Sequence, residues 1–272
     1  LGAATWDTNV IFTHNILHLR ISRSRIDKMA NSKIVKVGVF IPTDTQLLDT
    51  ACVDIFGMLS KDYMEVLEDL PKHLVGIAPV VKIFYISASP VDSPLTLTAG
   101  VRMLATHHIS DADVQPGKLD ILLIPGPDPR TTFEEPVLEF VRAHHKQENT
   151  DILSVCTGIL LCGAAGLLDG RTACGPRGMQ PGLRKKWPTA KLVGEKYRWI
   201  QDGNLWSSGG ITNGNDLVAA YCRTGKHFPG PLVEIVCKMA DVGDRPHEYE
   251  QGQTAFTISF VWQLFRSMFV RK

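Results

Sequence analysis

Residues 151–168 constrain the fold more than any other stretch of this chain. Asp151-Ile-Leu-Ser-Val155 is a short apolar run with the character of a buried strand. The run from Thr157 to Leu168 has the length and residue types of a packed helix. Between them lies Ser154-Val-Cys-Thr-Gly158. A small residue two before a nucleophile and a glycine two after it, at a strand-to-helix junction, form a nucleophile elbow: the backbone turns sharply and lifts the central side chain out of the sheet. Here that side chain is the Cys156 thiol. A helix N-terminus favours negative charge, so the expectation is a lowered thiol pKa and a thiolate near neutral pH. A free cysteine without such a setting behaves as a small buried hydrophobe. That is the reading for Cys162, inside the elbow helix, and for Cys52, Cys222 and Cys237, in apolar helical runs. Cys174, just past the elbow helix, stays open between core and site.

The rest of the chain alternates strand and helix. Ile34–Ile41 is near-continuously apolar, as a parallel strand covered on both faces must be. A loop over 42–49 and a helix over 51–59 follow. Residues 80–86 and 119–124 read as further strands, 95–97 and 101–104 as a small hairpin, and 133–147 as a helix with Phe133, Val137, Phe140 and Val141 on one face. After the elbow come a short strand near Thr172, a helix over 178–187, and strands at 197–200 and 205–207 about an Asp202-Gly203 turn. Helices over 213–222 and 231–239 close the pattern. The fold class is therefore α/β: a doubly wound, mostly parallel sheet sandwiched by helices, one domain over 33–250. In open α/β sheets the site lies beyond the strand C-termini. Three loops meet there: the one bearing Asp49, the one after Ile124, and the elbow.

Residues 1–32 are expected to be an extension outside the fold, with Met29-Ala30 a natural start, and 251–272 a C-terminal tail. The tail carries no acid and is interrupted by Arg266; it is too short to read as a membrane span, and the choice lies between a surface amphipathic helix and a poorly ordered extension. The formal net charge of +1 gives no global field for nucleic acid or an anionic membrane. None of the six cysteines forms a C-x-x-C pair or zinc spacing, so no metal is expected and the compartment is read as reducing, hence cytoplasmic. His107-His108 and His144-His145 are read as surface pairs, and Trp187, Trp199 and Trp206 as packing or interface residues. Asp216 reads as a buried hydrogen-bonding acid or a first-turn charge.

Leu153-Ser-Val-Cys-Thr-Gly158 and Gly163-Ala-Ala-Gly-Leu-Leu-Asp-Gly170 resemble the core of the ThiJ/PfpI family, relatives of the class I glutamine amidotransferases. Leu48-Asp49, Ile124-Pro-Gly126, and Asp202-Gly-Asn204 with Ser208-Gly-Gly-Ile-Thr212 are similar to three further family stretches, and the nearest branch is isocyanide hydratase. The resemblance implies a flavodoxin-like sandwich, a homodimer and no cofactor. It implies Cys156 as nucleophile, Asp49 as its partner acid and Thr157 as a hydrogen-bond donor beside it. It places Gly126, Pro127 and Gly158 at the substrate. Three departures stand out. Pro127 replaces the second glycine of a Pro-Gly-Gly loop and has no N–H to offer an oxyanion. Pro176 falls where the hydratase branch carries histidine, so a Cys–His pair is absent. The Gly-Pro usual after the acid is missing beyond Asp49.

The leading expectation is hydration of an isocyanide to an N-substituted formamide through a thioimidate on Cys156, with a protonated Asp49 as the acid. The competing reading of Asp49 is a helix N-cap. Two other functions stay open: glutathione-independent, glyoxalase-like hydration of an α-oxoaldehyde, and a non-catalytic redox or stress-response protein in which Cys156 is oxidised.

Overall fold

The computed structural model describes residues 33–269. The extension expected over 1–32 and the last three residues of the tail lie outside them. Strand β1 (Ile34–Phe40) leads through β2 (Asp44–Thr45) into two short helices, α1 (Leu47–Thr50) and α2 (Val53–Met58). Next come α3 (Lys61–Val66), α4 (Lys72–Val75), β3 (Val80–Ser87), β4 (Leu95–Leu97), β5 (Arg102–Met103), β6 (His107–His108) and β7 (Ile121–Ile124). Helix α5 (Glu135–His145), β8 (Asp151–Ser154), α6 (Gly158–Ala164), β9 (Thr172–Ala173) and α7 (Gln180–Lys186) form the middle of the chain. The last part holds β10 (Lys191–Leu192), β11 (Trp199–Asp202), β12 (Leu205–Ser208), α8 (Asn213–Arg223), α9 (Gly230–Ala240) and α10 (Gln253–Ser267).

Seven strands form one sheet in the order β11-β12-β8-β7-β1-β3-β6. Every neighbouring pair is parallel except the β11–β12 hairpin, which turns at Gly203 with φ 63°. The period of two explains why the strands read as continuous apolar runs. Val35, Val37, Val39, Ile121, Leu123 and Leu153 pack on one face under α2, α8 and α9. Phe40, Ile86, Leu122, Ile124 and Ile152 pack on the other under α5, α6 and α7. Both faces are covered, as a doubly wound sheet requires. The central strands end together at Phe40, Ile124 and Ser154, and the site lies beyond those ends.

Several expectations need correction. The helix expected over 51–59 is the shorter α2, while the loop expected over 42–49 contains β2 and most of α1, so that Asp49 lies within a helix. The β4–β5 hairpin forms, but β4 also pairs in parallel with β2, joining the acid loop to the hairpin. His144 is no surface residue: it is fully buried, with its Nδ1 2.8 Å from the Phe140 carbonyl and its ring 4.3 Å from that of Phe140. Burial pushes its pKa below the usual histidine value. Cys174 is buried. Asp216 is buried too, 2.5 Å from Arg245. The tail forms α10, which exposes a wide apolar arc including Phe260, Trp262 and Phe265. Among the described residues no helix is long and apolar enough to cross a membrane.

Candidate active site

The elbow is built as its sequence demands. Cys156 takes φ +56°, a left-handed conformation that costs a non-glycine residue on the order of 1–2 kcal/mol. Its neighbours leave no alternative path. A Cβ on Gly158 would lie 2.3 Å from the Ile124 carbonyl oxygen, so only glycine lets α6 start this close to β7. Gly158 is therefore needed for packing, and it is not among the residues that line the cavity.

That cavity, about 400 Å³ in volume, opens over Cys156. Cys156 is half-buried at its floor, with Thr157, Gly126, Pro127 and Ile211 around it. Gln46, Thr96 and Thr98 add polar groups to a wall that is mostly apolar, and the carboxylates of Asp44 and Asp128 also line it. Arg130 beside Asp128 holds that carboxyl down at about 2, so Asp128 is charged at any ordinary pH. No histidine is among the described residues lining the cavity. Pro176 opens a short 3-10 turn over Arg177–Met179.

Asp49 sits behind the sulfur, with none of its surface exposed. Its Oδ2 accepts the Gly126 N–H at 3.0 Å, while Oδ1 has no conventional partner and shares its surroundings with the Cys156 thiol. It caps no helix: the helix-cap reading fails because the carboxylate crosses to the neighbouring loop. Burial raises its pKa from 3.8 to about 6, against the lowering pull of the Gly126 N–H and the thiol. The same loop is held by Thr45, whose hydroxyl donates to the Gly126 carbonyl at 3.0 Å, and by Gln46, whose N–H donates to it at 2.9 Å.

Two sequence expectations change here. The thiol is not a resting thiolate. Burial first, and then the Asp49 charge, push its pKa from 9.0 up to about 11, although the N–H groups of Ile211 and Thr157 pull the other way. The Thr157 hydroxyl does not serve the sulfur either: it donates to the Pro127 carbonyl at 2.7 Å. What Thr157 offers Cys156 is its backbone N–H. The Gly126 N–H is committed to Asp49.

Ile211 is a site residue that the sequence reading passed over. It lies between Gly210 and α8 with φ +48°, a genuine outlier for a β-branched side chain. Its contribution is a backbone amide, so side-chain chemistry gave no signal; the one hint was the Ser208-Gly-Gly-Ile-Thr212 run.

A flavodoxin-like sheet carries a cysteine elbow with a buried carboxylate behind it, and no histidine among the described residues lines the cavity. The chain belongs to the DJ-1/PfpI family, whose model matches residues 70–224. It is 35% identical over 132 residues to the isonitrile hydratase of Pseudomonas putida, a match covering 48% of this chain and 54% of that one. The match thus spans about half the length of the curated relative. Among solved structures, a ThiJ/PfpI family protein from Pseudomonas syringae superposes with a TM-score of 0.59 at 17% identity, over 89% of this chain and 90% of that one. DJ-1beta of Drosophila melanogaster superposes with a TM-score of 0.57 at 15% identity, over 78% of this chain and 98% of that one. At such identities these two likenesses concern the fold alone.

Proposed function

We propose that this protein hydrates a small neutral isocyanide to the corresponding N-substituted formamide, with Cys156 as nucleophile and Asp49 as its proton partner. The observation that carries the reading is a thiol on the floor of a cavity with a fully buried carboxylate directly behind it. In the first step the sulfur bonds to the terminal isocyanide carbon. The thiol proton passes to Asp49 as sulfur attacks and from Asp49 to that carbon, giving R–N=CH–S–Cys. Water then adds to the thioimidate carbon, the C–S bond breaks, the nitrogen takes a proton, and R–NH–CHO leaves with the thiol restored. Water, Cys156 and Asp49 suffice for this balance, so no cofactor or metal is part of it.

The electrostatics support a neutral substrate. Asp44 in the cavity lining disfavours anions, the Asp128 charge beside it is paired with Arg130, and an isocyanide carries no net charge. The missing histidine and the proline at 127 weigh against tetrahedral oxyanion chemistry of the protease or glyoxalase kind, which needs preorganised donors. Thr157 and Ile211 present their amides to the sulfur and stabilise it as it loses its proton; Gly126 and Pro127 bound the substrate. A homodimer in the cytoplasm belongs to the same reading, and light scattering on the purified protein tests the dimer.

The decisive experiment incubates the protein with a panel of alkyl and aryl isocyanides and follows the formamide. The expected result is turnover by the parent and a loss of about a thousandfold or more in Cys156→Ala. Equal rates in the two proteins would end the proposal.

A further inference from the structure

The loop that presents the Ile211 amide closes its own turn, with the Asn213 N–H donating to the Gly210 carbonyl at 3.2 Å and the Gly214 N–H to the Ile211 carbonyl at 3.0 Å, but it is also held from outside. Its residues Gly209–Asn213 are gripped by a distant segment, Arg245–Tyr249, which follows α9. This strap is stitched onto the chain just before β11. The Arg198 N–H donates to the His247 carbonyl and the Tyr249 N–H to the Lys196 carbonyl, both at 2.9 Å, about a Tyr197–Glu248 bridge. The His247 Nε2 lies 2.6 Å from the Trp199 carbonyl. From that anchorage the Arg245 guanidinium donates to the Thr212 carbonyl at 2.7 Å and hydroxyl at 3.2 Å, while also pairing with buried Asp216. The Tyr249 hydroxyl accepts from Asn213 Nδ2 at 2.8 Å, and the same Nδ2 donates to the Gly210 carbonyl at 3.1 Å. The Tyr249 ring is itself fixed, with the guanidinium carbons of Arg177 and Arg198 at 4.1 and 4.6 Å from its centroid.

We infer that the Arg245–Tyr249 strap is a positioning device for the nucleophile: through Arg245 and Tyr249 it holds Ile211 in its left-handed conformation and keeps that residue's N–H aimed at the Cys156 sulfur. Three features of the loop fit this role. Left-handed backbone at a β-branched residue persists only where surrounding structure over-determines it. Gly209 has no room for a side chain, because a Cβ there would lie 2.6 Å from the Tyr249 hydroxyl. Asn213 joins strap to loop with a single amide group. Neither Arg245 nor Tyr249 lines the cavity, so they act on the sulfur only through the loop. Asp49 is the one titratable side chain that bears directly on that sulfur, and the strap leaves it untouched.

The inference rests on the reading of Cys156 as a reactive thiol, and its test keeps the two separable. Tyr249→Phe, Arg245→Gln and Arg245→Lys are compared with the parent by the rate of iodoacetamide alkylation at Cys156 against pH. Hydrogen exchange across residues 209–213 is followed in parallel. In Tyr249→Phe and Arg245→Gln the alkylation midpoint should move to higher pH, the rate at pH 8 should fall by about threefold or more, and the Ile211 amide should exchange faster. Arg245→Lys should recover part of the loss. A parent-like profile with parent-like exchange in both variants overturns the inference, and so does a lower melting temperature with no change in either, since a strap that only stabilised the fold would do that. Should Arg245→Gln fail to fold, Tyr249→Phe decides alone. If the parent thiol resists alkylation, it is the proposed chemistry that fails, and the exchange of the Ile211 amide still decides the strap.

Discussion

Asp49→Asn is expected to lose turnover while gaining both thiol reactivity and stability. Each part follows from one buried charge. As the proposed partner that takes and returns the thiol proton, Asp49 should contribute about a hundred- to ten-thousandfold to kcat/KM, and asparagine can do neither. The Asp49 charge is also one of the forces that raise the Cys156 pKa to about 11. Its removal lowers that pKa, so Cys156 in the variant should alkylate faster at pH 8 than in the parent. The stability effect has a definite sign. The folded pKa of Asp49 is raised from 3.8 to about 6 by burial. The group therefore favours folding below pH 4, and that contribution is lost as the pH rises through about 6. Asparagine stays neutral throughout and can still accept the Gly126 N–H. A shift of this size corresponds to about 2–3 kcal/mol, so the variant should melt about 5 °C or more above the parent at pH 8 and close to it at pH 4. Thermal melts at the two pH values, one alkylation time course and one isocyanide assay check all three parts. A variant that stays active, or that loses stability at pH 8, would remove Asp49 from the mechanism.

The same residue shows where sequence reasoning stops. The elbow was legible because its requirements are local: small residues at fixed offsets around one nucleophile, between a strand pattern and a helix pattern. The parallel sheet was legible for a related reason, since strands covered on both faces such as Ile34–Phe40 and Ile121–Ile124 lose their polar alternation. What stayed hidden arises from contacts distant in sequence. The pKa of Cys156 was expected to fall because a helix begins beside it, but burial and a carboxylate more than a hundred positions away outweigh that effect. The hydroxyl of Thr157 was expected at the sulfur, yet the nearer acceptor is the Pro127 carbonyl. Ile211 and the Arg245–Tyr249 strap left no motif, because one gives a backbone amide and the other a set of long-range hydrogen bonds. His144 looked like half of a surface pair because adjacent histidines share no face; its burial follows from α5 packing on the sheet.

Two glycines near the elbow should respond in opposite ways to the addition of one methyl group. In Gly158→Ala the new Cβ meets the Ile124 carbonyl oxygen at 2.3 Å and its carbonyl carbon at 3.2 Å, both of them sheet backbone. Neither β7 nor the first turn of α6 can yield without opening the core. The expected cost is about 3 kcal/mol or more, a drop of about 10 °C in melting temperature. In Gly126→Ala the new Cβ meets Thr157 Oγ1 at 2.3 Å and Asp49 Oδ2 at 2.5 Å, with the Thr157 nitrogen at 3.0 Å. The two nearest atoms are side-chain ends that can rotate away, so the fold should suffer less than in Gly158→Ala. The rotation falls on the proposed proton partner, however, and should displace Asp49 from the sulfur. A misplacement of about 1 Å in a catalytic group can cost about a hundredfold, so kcat/KM should fall by that order while the melting temperature moves little. Measuring melting temperature and turnover for both variants separates a glycine that the sheet needs from a glycine that the chemistry needs. If Gly126→Ala kept full activity, Asp49 would have tolerated the displacement, and the buried carboxylate would not be the group that moves the proton.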